Sequence, residues 1–191
     1  MTIKHHKTLS FQTAKEFGQW LAQNHAVEQE IWVKLFKKKS NRPSPSWEEC
    51  VVEALIWGWI DGLKKPLDEE AWLQRFTPRK RRSGWSRKNR DLAERLIQQK
   101  QMQPAGLAVV DAARLDGRWD AAYAGSSDFK IPDDFLISLA KDANAKRNFD
   151  QLDRKNLFAI YYRLHTAKKA ETRQKRMLQI LALLSRGEKL H

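Results

Sequence analysis

Between Arg75 and Asn89 the chain carries seven cations (Arg75, Arg79, Lys80, Arg81, Arg82, Arg87 and Lys88) and no acid. Thr77, Ser83, Trp85, Ser86 and Asn89 are interleaved with them. Guanidinium groups grip phosphate and carboxylate through paired N–H bonds, and short polar side chains add single contacts. An indole offers a flat wall on which a cation or an apolar ring can stack. The chemistry that suits this stretch is anion binding, through Arg75, Thr77, Arg79, Arg82, Ser83, Trp85, Ser86, Arg87, Lys88 and Asn89. An amphipathic helical pattern follows directly. If Ser86 caps that helix, its first turn is Arg87, Lys88 and Asn89, which sets cations at the positively polarised end, where each costs about 0.3–1 kcal/mol. A bound anion would relieve that cost, because free N–H groups at a helix start attract one. If Asn89 is the cap, Asp91 enters the first turn and the stretch becomes an ordinary solvated basic loop. Both assignments fit the residues.

Asp61, in the run "WGWIDGLKK", is the other side chain of chemical interest. An acid beside Gly62 in a short strand could stand at a cleft mouth as a general base or a ligand contact. Arg75 on the next strand is a natural ion-pair partner, which would make Asp61 structural instead. Two further basic tracts, Lys37–Arg42 and Lys168–Arg176, would extend the cationic surface if the fold brought them together. His5, His6, His25, His165 and His191 show no metal-ligand spacing, and Cys50 is the single cysteine. No metal site is expected. Cys50 reads as a small core residue. No Walker, kinase or G-x-S-x-G pattern occurs. No cofactor is expected, and the reading leans away from an enzyme.

These features need a scaffold that holds them. With 191 residues, 41% of them hydrophobic, and eight tryptophans, the chain can bury roughly 70% of its extended surface without disulfides or metal. A net charge of +13 favours anionic partners, either a small molecule or a nucleic-acid backbone contacted with little sequence choice. The lone cysteine and the absence of an apolar h-region near the N-terminus point to the cytoplasm. No apolar run approaches the ~20 residues of a membrane span.

Thr13 with Glu16, and Ser46 with Glu49, have capping-box spacing and open helices reaching about Asn24 and Trp57. Alternation in "EIWVKLF" predicts a strand covered on both sides. Trp59–Lys64 and Ala71–Thr77 read as strands around a turn at Pro66–Glu70. Helices are expected from Ser86, from Pro104 (with Ala105, Ala108, Val109 and Ala112 inward), from Pro132, after Asp153 and from Ala167 to Arg186. The fold class is α+β: a small, mostly antiparallel sheet packed by helices in the N-terminal half, and an all-helical C-terminal half. The boundary is expected near Gly125–Asp128, giving domains 1–125 and 126–191.

The segments "EALIWGWIDGLKKPLDEEAWLQRFTPRK", "SGWSRKN", "GLAVVDAARLDGRW" and "AKKAETRQKRMLQILALLSRGEK" resemble the YdeI/OmpD-associated family of bacterial proteins, some of which are labelled bacteriocin-protection proteins. The resemblance runs from about Trp32 to Lys189. It implies a role in envelope or antimicrobial-peptide stress, and it brings no catalytic residue and no cofactor. The leading expectation is a soluble cytoplasmic protein that binds an anionic ligand or polyanion through its basic surface. The alternatives are an enzyme acting on a phosphorylated or carboxylated small molecule through Asp61, and a regulatory interaction module using an apolar strip along Met177–Leu184.

Overall fold

A computed structural model describes residues 7–190. Its α+β architecture divides into two compact units. One comprises the chain up to Ser83 together with Asn89–Asp120; the other comprises Gly84–Lys88 and the chain from Ala121 onward.

The first unit is built on a four-stranded mixed sheet of β1 (Thr8–Ser10), β2 (Ile31–Phe36), β3 (Trp59–Pro66) and β4 (Ala71–Pro78), in the order β1-β2-β4-β3. β1 pairs parallel to β2, and the other pairs are antiparallel. The three-residue β1 is too short to leave a sequence pattern. Directly opposed residues share a face, so Ile31, Val33 and Leu35 of β2 lie on one side with Phe76, Gln74 and Trp72 of β4. Helices α1 (Ala14–Asn24) and α2 (Trp47–Ile56) supply the core of this unit. Phe17 of α1 meets Phe76 at 5.1 Å between ring centroids, and Trp20 meets Trp59 edge-on at 5.9 Å. The helix starts follow their caps. The Thr13 hydroxyl accepts Glu16 N–H at 3.2 Å, and Ser46 with Glu49 forms a complete capping box.

β3 is not a regular strand. Asp61 faces Phe76 and Lys64 faces Gln74, so three steps on β3 match two on β4. The extra residue is a β-bulge at Gly62–Leu63. Gln74 is buried, and its side-chain amide donates to Gly62 O at 3.0 Å and Leu63 O at 3.4 Å. In a regular strand, residues three apart point to opposite faces. The bulge instead sets Asp61 and Lys64 on the side that carries Trp72.

Helix α3 (Arg87–Gln98) turns Ala93 and Leu96 inward, and α4 (Pro104–Leu115) opens on its proline. The inward face of α4 differs from the expected one: Gly106, Val110 and Ala113 are buried, whereas Ala108 and Ala112 are exposed and Ala105 and Val109 half-buried. The cause is backbone contact. A Cβ on Gly106 would sit 2.9 Å from Leu55 O and against Ile56 O at the end of α2, so that crossing sets the rotation of α4.

The second unit packs α5 (Asp133–Leu139), α6 (Ala143–Phe149), α7 (Arg154–His165) and α8 (Ala170–Ser185). Its core joins Phe135, Leu139, Ala145, Ile160, Leu164, Met177, Ile180 and Leu184. The strip expected to serve as an apolar docking surface is therefore interior: Met177, Ile180 and Leu184 are core residues, and Leu181 packs against them. Asp142 and Asp153 cap α6 and α7. A parallel bridge closes the unit, with Arg87 N–H donating to Tyr123 O at 2.8 Å and Tyr123 N–H to Trp85 O at 2.9 Å.

Candidate functional site

The bulge in β3 and the start of α2 together frame a cleft of about 660 Å³ in the first unit. Its walls include the rings of Phe36, Trp47 and Trp72, and its polar lining includes Lys37, Lys38, Lys64 and Asp61. Trp47 reaches the cleft as the first residue of α2, and its indole N–H donates to Asp61 Oδ2 at 3.3 Å. The Lys64 ammonium stands over the Trp72 ring, 4.6 Å from the centroid. At the rim, the Arg42 guanidinium lies 4.1 Å from the centroid of Phe36. Glu49, at the first turn of α2, is held below the ordinary carboxylate range by the Ser46 backbone and hydroxyl donors. It stays ionised and keeps the helix start occupied by its own cap.

Asp61 does not pair with Arg75. The register places Asp61 opposite Phe76 and Arg75 opposite Trp32, on the other face of the sheet. Arg75 is bonded instead to Glu30, just before β2, with its Nε at 2.8 Å and a terminal nitrogen at 2.5 Å from one carboxylate oxygen.

The ten residues of the expected anion site are dispersed. Arg75, Thr77 and Arg79 line a second cleft, of about 1040 Å³, at the end of the sheet with Lys7, Glu28, Glu30 and Lys80. Two of its cations are already engaged, Arg75 by Glu30 and Lys7 by Glu28. Arg82 is exposed in the following turn. Ser83 accepts Lys80 N–H on its hydroxyl and Arg118 on its carbonyl. Trp85 is only 1% exposed and is a core residue, not a ligand wall. α3 begins at Arg87, so the alternative with Asn89 as cap falls away and the first turn contains no acid. The first N–H of that turn, from Arg87, is already taken by Tyr123 O. Ser86 is half-buried in the bridge to Tyr123, Lys88 is exposed and Asn89 half-buried.

Cys50 is fully buried in α2, and burial, reinforced by the carboxylates of Glu49 and Glu53, pushes its thiol up to about 12. It is a core residue and no nucleophile. Among the described residues no three of His, Cys, Asp and Glu gather closely enough to hold a metal; His5, His6 and His191 lie outside them. Among the described residues no helix is long and apolar enough to cross a membrane.

The architecture is that of a two-unit α+β protein whose sheet carries an aromatic, lysine-rimmed cleft. The chain belongs to the family described as Domain of unknown function (DUF8412), whose model matches residues 9–109, more than half of its length. Residues 128–187 match the family described as Bacteriocin-protection, YdeI or OmpD-Associated. The resemblance read from the sequence therefore holds over the C-terminal segment. The "GWIDG" and "RFTPR" motifs lie in the segment matched by the first family. No curated protein and no solved structure matches the chain.

Proposed function

We propose that the first unit binds a small molecule that combines a flat apolar ring with an anionic group, in the cleft between Trp47, Trp72 and Lys64. The observation that carries this reading is the bulge that sets Asp61 and Lys64 beside Trp72 on one face. Stacking walls with a few converging polar groups, in a cleft of several hundred cubic ångströms, are the usual make-up of a small-ligand site. The ring would lie against the indoles while Lys37, Lys38 or Lys64 meets the negative group.

A continuous polyanion face is less well supported in this unit. Lys37 follows the end of β2 that pairs with Ala71, whereas Arg79 follows the far end of β4. At about 3.3 Å per residue, the eight-residue β4 separates the two basic tracts by roughly 23 Å.

Titration of the full chain with nucleoside monophosphates and aryl carboxylates, followed by quenching of tryptophan emission, tests the reading. Saturable binding is expected, weakened roughly tenfold by Lys64→Gln or Trp72→Leu, about the value of one charge-assisted bond or stacked ring. Arg79→Gln should leave it unchanged. If Arg79→Gln abolishes binding and Lys64→Gln does not, the site belongs at the sheet end; no saturable binding across the panel removes the proposal.

Asp61 in the same cleft favours a second reading, an enzyme on an anionic small molecule with Asp61 as general base. Turnover of a bound ester that Asp61→Asn removes without weakening binding would establish it.

The name of the C-terminal family speaks of bacteriocin protection. With +13 net charge, this chain repels cationic peptides over much of its surface. We therefore infer that any protection acts indirectly, from the cytoplasm. Tight direct binding of a cationic bacteriocin would overturn that.

A further inference from the structure

The second unit contains a cavity of about 340 Å³ lined by Arg87, Ala124, Asp128, Lys130, Tyr161 and His165. It is separate from the aromatic cleft, and its lining is almost wholly polar side chains. The unit fixes two of them, Tyr161 and His165. The Arg87 backbone is anchored by its N–H bond to Tyr123 O, and its side chain is exposed. Tyr161 is 6% exposed, stacked on Phe129 at 5.4 Å and on His165 at 5.2 Å. The His165 ring is held by donation from Nε2 to Ala121 O at 3.1 Å.

The hydrogen-bonding account is incomplete. The Tyr161 hydroxyl accepts Ala124 N–H at 2.8 Å. It still carries a proton to donate, and among the described residues none of the surrounding groups accepts it. The charges are similarly placed. Arg87 and Lys130 have no ion-pair partner among the described residues, although Asp128 lines the same cavity. Arg75 and Lys7 in the sheet-end cleft are, by contrast, already paired. Two cations and a hydroxyl donor thus face a space with one carboxylate on its wall.

We propose that this cavity is a site for inorganic phosphate. Arg87 and Lys130 supply the positive charge, and the Tyr161 hydroxyl donates to a phosphoryl oxygen. The helix dipole contributes little, because the first N–H of α3 is spent on Tyr123. Asp128 then acts as a selector. Hydrogen phosphate carries an O–H that a carboxylate can accept, whereas sulfate at neutral pH has only acceptors and is repelled by it.

The test is calorimetric titration of the full chain with inorganic phosphate and with sulfate at constant ionic strength. Saturable phosphate binding with one site is expected, with sulfate weaker. Arg87→Gln should weaken phosphate binding roughly tenfold or more, the size of one charge-assisted bond, while Arg82→Gln, an equal charge change on an exposed turn, should not. Asp128→Asn should bring sulfate binding up towards that of phosphate. Arg87 and Asp128 are both exposed, so neither change puts folding at stake. A phosphate monoester, whose dianion lacks that O–H, should bind as weakly as sulfate; a monoester binding as tightly as inorganic phosphate would overturn the role given to Asp128. Absence of saturable phosphate binding, equal losses from Arg82→Gln and Arg87→Gln, or native binding of sulfate as tight as phosphate would each overturn the proposal. Because the aromatic cleft lies in the other unit and is probed by Lys64→Gln, failure of one site leaves the other standing.

Discussion

Gln74 is the residue on which the aromatic cleft turns. A buried primary amide in the middle of a sheet is costly unless its donors are used, and here they hold the two carbonyls of the β3 bulge. Gln74→Leu keeps the volume and removes those bonds, so the bulge loses the tie that fixes Asp61 and Lys64 on one face. Chemical denaturation should show a loss of about 1–3 kcal/mol, the cost of unmaking buried hydrogen bonds, and ligand affinity in the cleft should fall with it. A variant as stable as the parent would show that the bulge is set by other contacts. The sequence marked Asp61 as an acid of interest because of its neighbours. It gave no sign of the bulge, which adds a residue to β3 only relative to its partner strand. The same limit misassigned Arg75: its true partner, Glu30, lies 45 residues earlier, and only the sheet order brings the two together. Trp85 was misread for a related reason. Flanked by cations it resembles a surface residue, yet its backbone joins Tyr123 and its ring is buried.

Among the elements, those with caps or long apolar stripes were legible: β2, α1, α2, α7 and α8 lie close to where their patterns place them. α6 was not, because its seven residues bury only Ala145 fully, leaving the Asp142 cap as the one signal. α4 was found but rotated, since alanine and valine on several faces leave the inward side undetermined until α2 meets it. That contact carries its own prediction. Gly106→Ala would ordinarily stabilise a helix by about 1 kcal/mol. Here the new methyl would meet the Leu55 and Ile56 carbonyls and come within 2.7 Å of Met102 Cε. Backbone cannot yield as a side chain can, so a net loss of about 1–3 kcal/mol is expected from overpacking. Thermal melting decides it: an unchanged or raised midpoint would mean that α4 slides away freely.

For the whole molecule, acid removes the stabilisation of lowered carboxylates in both units, Glu49 and Asp68 in the first among them, while buried Glu53 in the first unit acts with the opposite sign. In the second unit, Asp134 is held below its ordinary 3.8 by the hydrogen bond from Arg173. Asp142 is lowered by Ala145 N–H and the Ser185 side chain, and Asp153 by the Asn156 backbone and side chain. Their stabilisation is complete above 3.8 and is lost as pH falls through the depressed values. In the first unit, burial raises Glu53 above 4.5, so its neutral form favours folding and that contribution fades as pH rises through the raised value. Hydrogen exchange resolved by segment should therefore show the first unit protected at pH 5 at least as well as at pH 7, and both units losing protection below about pH 4, where carboxylates protonate. Glu53→Gln should remove the first response and leave the second. Loss of protection in the first unit between pH 7 and pH 5 would contradict this assignment.

The division of the chain also bears on inheritance. The polypeptide lends Gly84–Lys88 to the second unit and then returns to finish the first. A genetic crossover after Asp120 would hand on the helical part without the segment that bridges to Tyr123 and without Arg87, so the two units cannot be exchanged like beads on a string. Any recombinant that keeps both whole must carry the coding sequence for both stretches, and a fragment cut at that point would arrive with half of its phosphate grip missing.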